Sequence, residues 1–106
     1  MTPYVEVVTT VADAATADAI ADALVRRRRA ACGQTSGPIT SHYWWQGKLE
    51  TSSEWYCVLK TRADLFDRVE AAIRELHPYD EPEILARPIV AGSASYLGWL
   101  DGELSA

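Results

Sequence analysis

The opening run Tyr4-Val5-Glu6-Val7-Val8-Thr9-Thr10 is rich in β-branched residues and reads as a strand. The period then changes: Ala17, Ile20, Ala21 and Leu24 recur at helical spacing behind Asp13, whose carboxylate can cap the helix. That apolar face is narrow and built from small residues, so the helix can lie close on a sheet. A second strand region starts near Ala30 and runs to Gln46. It is interrupted around Gly37-Pro38, where Pro38 has no N–H for a ladder and a bulge or bend is expected. Gln46-Gly47 reads as a tight turn, after which the chain returns through Thr51-Ser52-Ser53 into a third strand ending near Thr61. Thr61-Arg62-Ala63-Asp64 resembles a capping box with Asp in place of Glu or Gln. Phe66, Val69, Ile73 and Leu76 form the apolar stripe of a second helix, which Pro78 stops. Glu83 to Val90 predicts a fourth strand, confined to an edge or a bulge by Pro88. A last short helix, starting at Ser93, is expected to bury Tyr96, Leu97 and Leu100, with Trp99 on a neighbouring face. The order β-α-β-β-α-β plus a small helix predicts an α+β fold in the split βαβ, or ferredoxin-like, arrangement, as a single domain over 1–106.

The hairpin is long for so small a chain. A continuous strand from Lys48 to Thr61 would reach roughly 45 Å at ~3.3 Å per residue. A domain of this size has a radius of gyration of about 13 Å. The hairpin should therefore project beyond its own core. Successive strand residues point to opposite faces, so Trp44 and Trp45 cannot both enter one small core. An arm carrying such aromatics is an aggregation hazard unless another chain covers it, and self-association is the simplest cover. Trp44, Trp45 and Trp55 are the residues expected at the interface.

With 106 residues, of which 48% are hydrophobic and 24% charged, the chain can build one core. The formal net charge of -5 argues against nucleic acid or acidic membranes as partners, and no strand carries the RNP1 pattern of an RNA-stacking sheet. The run Arg26-Arg27-Arg28-Arg29 reads as a solvated helix end, with an anion or partner contact as the alternative. Nothing at the amino terminus resembles a secretion signal, and no apolar run could cross a bilayer, so a cytoplasmic protein is expected. Cys32 and Cys57 lie in apolar strand-like surroundings and read as buried thiols, with metal ligation by Cys32 or a disulfide as the alternatives. There is no Gly-rich phosphate loop, no G-x-S-x-G elbow and no H-E-x-x-H helix, so no enzyme is expected.

Three clusters then take on meaning together: Tyr43-Trp44-Trp45-Gln46-Gly47-Lys48-Leu49-Glu50, His77-Pro78-Tyr79-Asp80-Glu81-Pro82-Glu83-Ile84 and Tyr96-Leu97-Gly98-Trp99-Leu100. With Ala30-Ala31-Cys32 and Leu59-Lys60-Thr61, they closely resemble the CutA divalent-cation tolerance family, in order and over nearly the whole chain. The resemblance implies a ferredoxin-like subunit in a compact homotrimer, with long hairpins that extend the sheets across subunit boundaries. It also implies a part in tolerance of copper and other divalent cations, with copper binding in some members. The trimer further resembles PII signalling proteins, which hold small ligands in clefts between subunits.

The family's copper site combines a cysteine on the first strand with paired histidines before the Pro-Tyr motif. The matching positions here are Thr9, Leu76 and His77, so one ligand type of the set survives. A tight site needs three or four converging ligands, which trimer symmetry would supply only if three copies of His77 meet on the axis. His77 otherwise reads as a helix-terminal residue. Tyr43, Trp45, Lys60, Tyr79 and Glu83 are the residues expected in an inter-subunit cleft, and Glu81 with Glu83 could present carboxylates to a divalent cation. The expected function is divalent-cation tolerance by a homotrimer that requires no cofactor and binds copper or another divalent metal weakly. The alternative is a PII-like sensor of a small molecule, or a scaffold for a protein partner.

Overall fold

The computed structural model describes residues 2–105. Its elements are β1 (Tyr4–Val11), α1 (Ala14–Arg26), β2 (Cys32–Trp45), β3 (Lys48–Arg62), a 3₁₀ turn (Ala63–Leu65), α2 (Phe66–Leu76), β4 (Leu85–Pro88) and α3 (Ala94–Gly102). The strands form one antiparallel sheet in the order β2-β3-β1-β4. Each β-α-β crossover therefore has a foreign strand inserted between its two strands, which is the interleaving the element order predicts.

Alternation sorts the sheet into two faces. Val5, Val7 and Val11 of β1 point the same way as Cys57 and Leu59 of β3, and α1 and α2 pack there through Ala17, Ile20, Leu24, Val69 and Ile73. Full burial of Ile20, Leu24, Leu59 and Ile73 stabilises the fold by about 1.5–3 kcal/mol per side chain. The small helix face has the expected use. A Cβ on Gly33 of β2 would stand 2.8 Å from the Cβ of Ala21, so α1 sits on β2 at glycine distance. Asp13 caps α1 by accepting the Thr16 N–H at 2.7 Å. The arginine run beyond α1 is paired within the chain, Arg26 with Asp22, Arg27 with Glu75 and Arg28 with Glu103, while Arg29 donates to the Ser105 carbonyl.

β2 is one strand with a register shift between Ser36 and Ile39, where the Gly37-Pro38 peptide is cis. The hairpin closes at Gln46-Gly47 with φ of 49° and 78°, the two positive values of a type I′ turn. The arm does project: the molecule measures 45 × 25 × 22 Å.

Several local expectations are corrected. The capping box does not form, because the Thr61 hydroxyl donates to the Arg29 carbonyl at 2.6 Å and Asp64 pairs with Arg62. A 3₁₀ turn intervenes, and α2 starts at Phe66 without a side-chain cap. Leu76 is exposed rather than part of the buried stripe, since the stripe has turned to solvent by the last turn. The fourth strand is shorter than Glu83–Val90, being limited to the four residues Leu85–Pro88 that pair with Val5–Val8. α3, capped by Ser93, buries Leu100 but leaves Tyr96 exposed and Leu97 half-buried. Its apolar residues surround the helix, so one sheet contact cannot cover them all; Tyr96 instead lies against Trp99, ring centroids 5.4 Å apart. Among the described residues, no helix is long and apolar enough to cross a membrane.

Candidate functional site

The hairpin arm and the connection from α2 to β4 together enclose an open cleft of about 850 Å³. The register pairs Tyr43 with Glu50 and Trp45 with Lys48, so Tyr43, Trp45, Glu50 and, two pairs further down, Glu54 lie on one face of the arm. Opposite them stand Tyr79, Asp80, Glu81 and Glu83, placed there because Pro78 ends the helix and turns the chain across the end of β1.

A chain of hydrogen bonds fixes that connection to the sheet. The His77 N–H donates to the Ile73 carbonyl at 2.8 Å, closing α2. The ring Nε2 lies 2.9 Å from the Thr10 carbonyl, which can only accept, so Nε2 carries the proton. Nδ1 then accepts the Tyr79 N–H at 3.2 Å. Burial pulls the His77 pKa below its ordinary value and favours this neutral tautomer. Tyr79 packs edge-on against the His77 ring at 4.7 Å and donates its hydroxyl to Glu54 Oε2 at 2.9 Å. Burial and the Glu54 carboxylate hold its phenol far above the ordinary tyrosine value.

Of the residues expected in an inter-subunit cleft, one subunit brings together Tyr43, Trp45, Tyr79 and Glu83, and holds Lys60 apart. Lys60 sits in a separate hollow of about 380 Å³ beside Glu6 and α3, its Nζ 5.8 Å from the Tyr96 ring centre. Glu54 was not singled out from the sequence, yet it is 7% exposed and lies at the base of the cleft. The signal available was its parity with Glu50 on the strand that pairs with Tyr43.

For a metal, this subunit offers little. Both ring nitrogens of His77 are engaged, and Cys32 pairs with Lys60 across the β2–β3 ladder. Cys57 is fully buried, and desolvation pushes its thiol up to about 12. Both cysteines are free. Thr9 is buried with its hydroxyl unpartnered. Among the described residues, no three His, Cys, Asp or Glu side chains group closely enough to hold a metal ion.

The expected interface tryptophans differ in setting. Trp44 is 73% exposed and Trp45 lines the cleft, whereas Trp55 is half-buried against the core of its own subunit. A Cβ on Gly37 would lie 2.7 Å from the Trp55 ring.

Residues 5–103 match the family described as CutA1 divalent ion tolerance protein. The divalent-cation tolerance protein CutA of Thermus thermophilus is 40% identical over 89% of this chain and 91% of its own length. The chloroplastic protein CutA 1 of Oryza sativa subsp. japonica is 36% identical over 92% of this chain, which spans only 55% of that protein. Among solved structures, the periplasmic divalent cation tolerance protein CutA from Archaeoglobus fulgidus superposes with a TM-score of 0.92 at 32% identity, over 96% of this chain and 99% of that one. The chain belongs to the CutA1 divalent-cation tolerance family.

Proposed function

We propose that this chain acts in divalent-cation tolerance as a cytoplasmic, non-catalytic homotrimer in which each hairpin arm is covered by a neighbouring subunit. The observation that carries this reading is the arm itself. It extends the molecule to 45 Å and holds Trp44 at 73% and Leu49 at 64% exposure, apolar surface that a lone subunit leaves in water. Copper or another divalent cation binds weakly in this reading, and only where subunits meet, because the described residues of one subunit gather no ligand set. Native mass spectrometry with and without Cu²⁺ tests it. The expected result is a trimer that Trp44→Glu weakens; a wild-type monomer would overturn the reading.

A second reading, a PII-like sensor, is favoured by the cleft. One wall is pinned by the His77–Tyr79–Glu54 hydrogen bonds and the other is the arm, so an occupant would bear on both elements at once. A small molecule, and through it a protein partner, is the ligand this reading requires.

A further inference from the structure

The cleft holds a buried carboxyl group that no basic side chain among the described residues pairs with. Glu54 is 7% exposed, and one carboxylate oxygen accepts the Tyr79 hydroxyl. Among the described residues, no Lys or Arg pairs with it. The neighbouring base, His77, is kept neutral by burial and by its own two hydrogen bonds. A carboxylate taken this far from water calls for a cation. The rim adds Glu50, Asp80, Glu81 and Glu83 and contributes no lysine or arginine. A phosphate or nucleotide entering here would meet five carboxylates against the single imidazole of His42. A bare metal ion meets the opposite difficulty, because the carboxylates are too dispersed to coordinate it. The remaining wall is aromatic, formed by Tyr43 and Trp45, and aromatic faces attract cations carried on apolar bodies.

We infer that the cleft binds a small organic cation, an ammonium or guanidinium on an apolar stem, with its head at Glu54 and its stem along Tyr43 and Trp45. This rests on the reading of the cleft as a ligand site and names the class of its ligand. Agmatine, which carries both heads on a short methylene chain, is a suitable probe, with ATP as the anionic counterpart. Isothermal titration of the full chain in its native assembly should show saturable agmatine uptake, one per subunit, and no heat from ATP. Glu54→Gln keeps an acceptor for Tyr79 and should weaken agmatine at least tenfold. Trp45→Leu leaves Glu54 in place and should weaken it several-fold, which keeps the test valid if the Glu54 variant misfolds. Saturable ATP binding without agmatine binding would overturn the cation inference and leave the cleft reading standing. If neither ligand binds and Glu54→Gln dissociates the assembly, the counter-charge comes from another copy of this chain, and both readings fall. Agmatine uptake that never saturates, or that both variants retain in full, would overturn the inference as nonspecific attraction to an acidic surface.

Discussion

His77 shows how one side chain can be fully used without any ligand. Its ring holds Thr10 of β1 on one side and Tyr79 on the other, and burial keeps it neutral. A histidine whose folded pKa lies below its unfolded value contributes stability that is complete above the unfolded pKa of about 6.5 and is lost as pH falls through the folded pKa. Urea unfolding from pH 7.5 to 5 should therefore show stability declining below about pH 6.5, and His77→Gln should flatten that decline relative to wild type. His77→Ala, which leaves the Thr10 carbonyl without its donor, should cost about 1–3 kcal/mol at pH 7.5. The thiols offer a second check: a native-state titration with a thiol reagent should modify half-buried Cys32 and leave Cys57 untouched until unfolding. The sequence placed His77 at a helix end but could not show its reach to Thr10. That contact spans 67 positions and depends on how the connection crosses the sheet.

At the scale of elements, the hairpin was legible and the helix ends were not. Its length, the Gln46-Gly47 turn and the Pro38 irregularity all follow from local backbone rules, and all three are present. The capping box failed because the Thr61 hydroxyl found the Arg29 carbonyl, an acceptor supplied by a distant segment. The expected cleft was legible in its aromatic and loop residues, which lie beside obvious turn signals. Within one subunit Lys60 stands apart from them: its parity puts it on the same broad face but at the far end, beside α3. Two of the hairpin's glycines, Gly37 and Gly47, should respond differently to alanine. Gly37→Ala drives a methyl into the Trp55 ring and should cost about 1–3 kcal/mol in denaturant unfolding. Gly47→Ala has open space and meets only its positive φ of 78°, so about 1 kcal/mol is expected.

At the scale of the whole molecule, the core is apolar and the acidity, buried Glu54 apart, is peripheral. Val7, Ile20, Leu24, Leu59 and Ile73 are fully buried, while Asp80, Glu81 and Glu83 line an open cleft. A fold resting on that apolar core should need no metal, and a chelator is expected to leave the thermal unfolding midpoint unchanged in calorimetry; a marked fall would expose a structural cation. Assembly was expected from the arm's length and its aromatics, and the isolated subunit has both features, a projecting arm with Trp44 and Leu49 exposed.

That arm also sets an order of events in time. Its two strands are neighbours in sequence, so they can zip together early, by closing a short loop at Gln46-Gly47. The neighbouring subunit proposed to cover exposed Trp44 and Leu49 would instead arrive by collision, at a rate set by concentration. On the proposed assembly, every newly made chain would pass through an interval with a finished but naked arm, and correct pairing would compete with clumping for as long as that interval lasts.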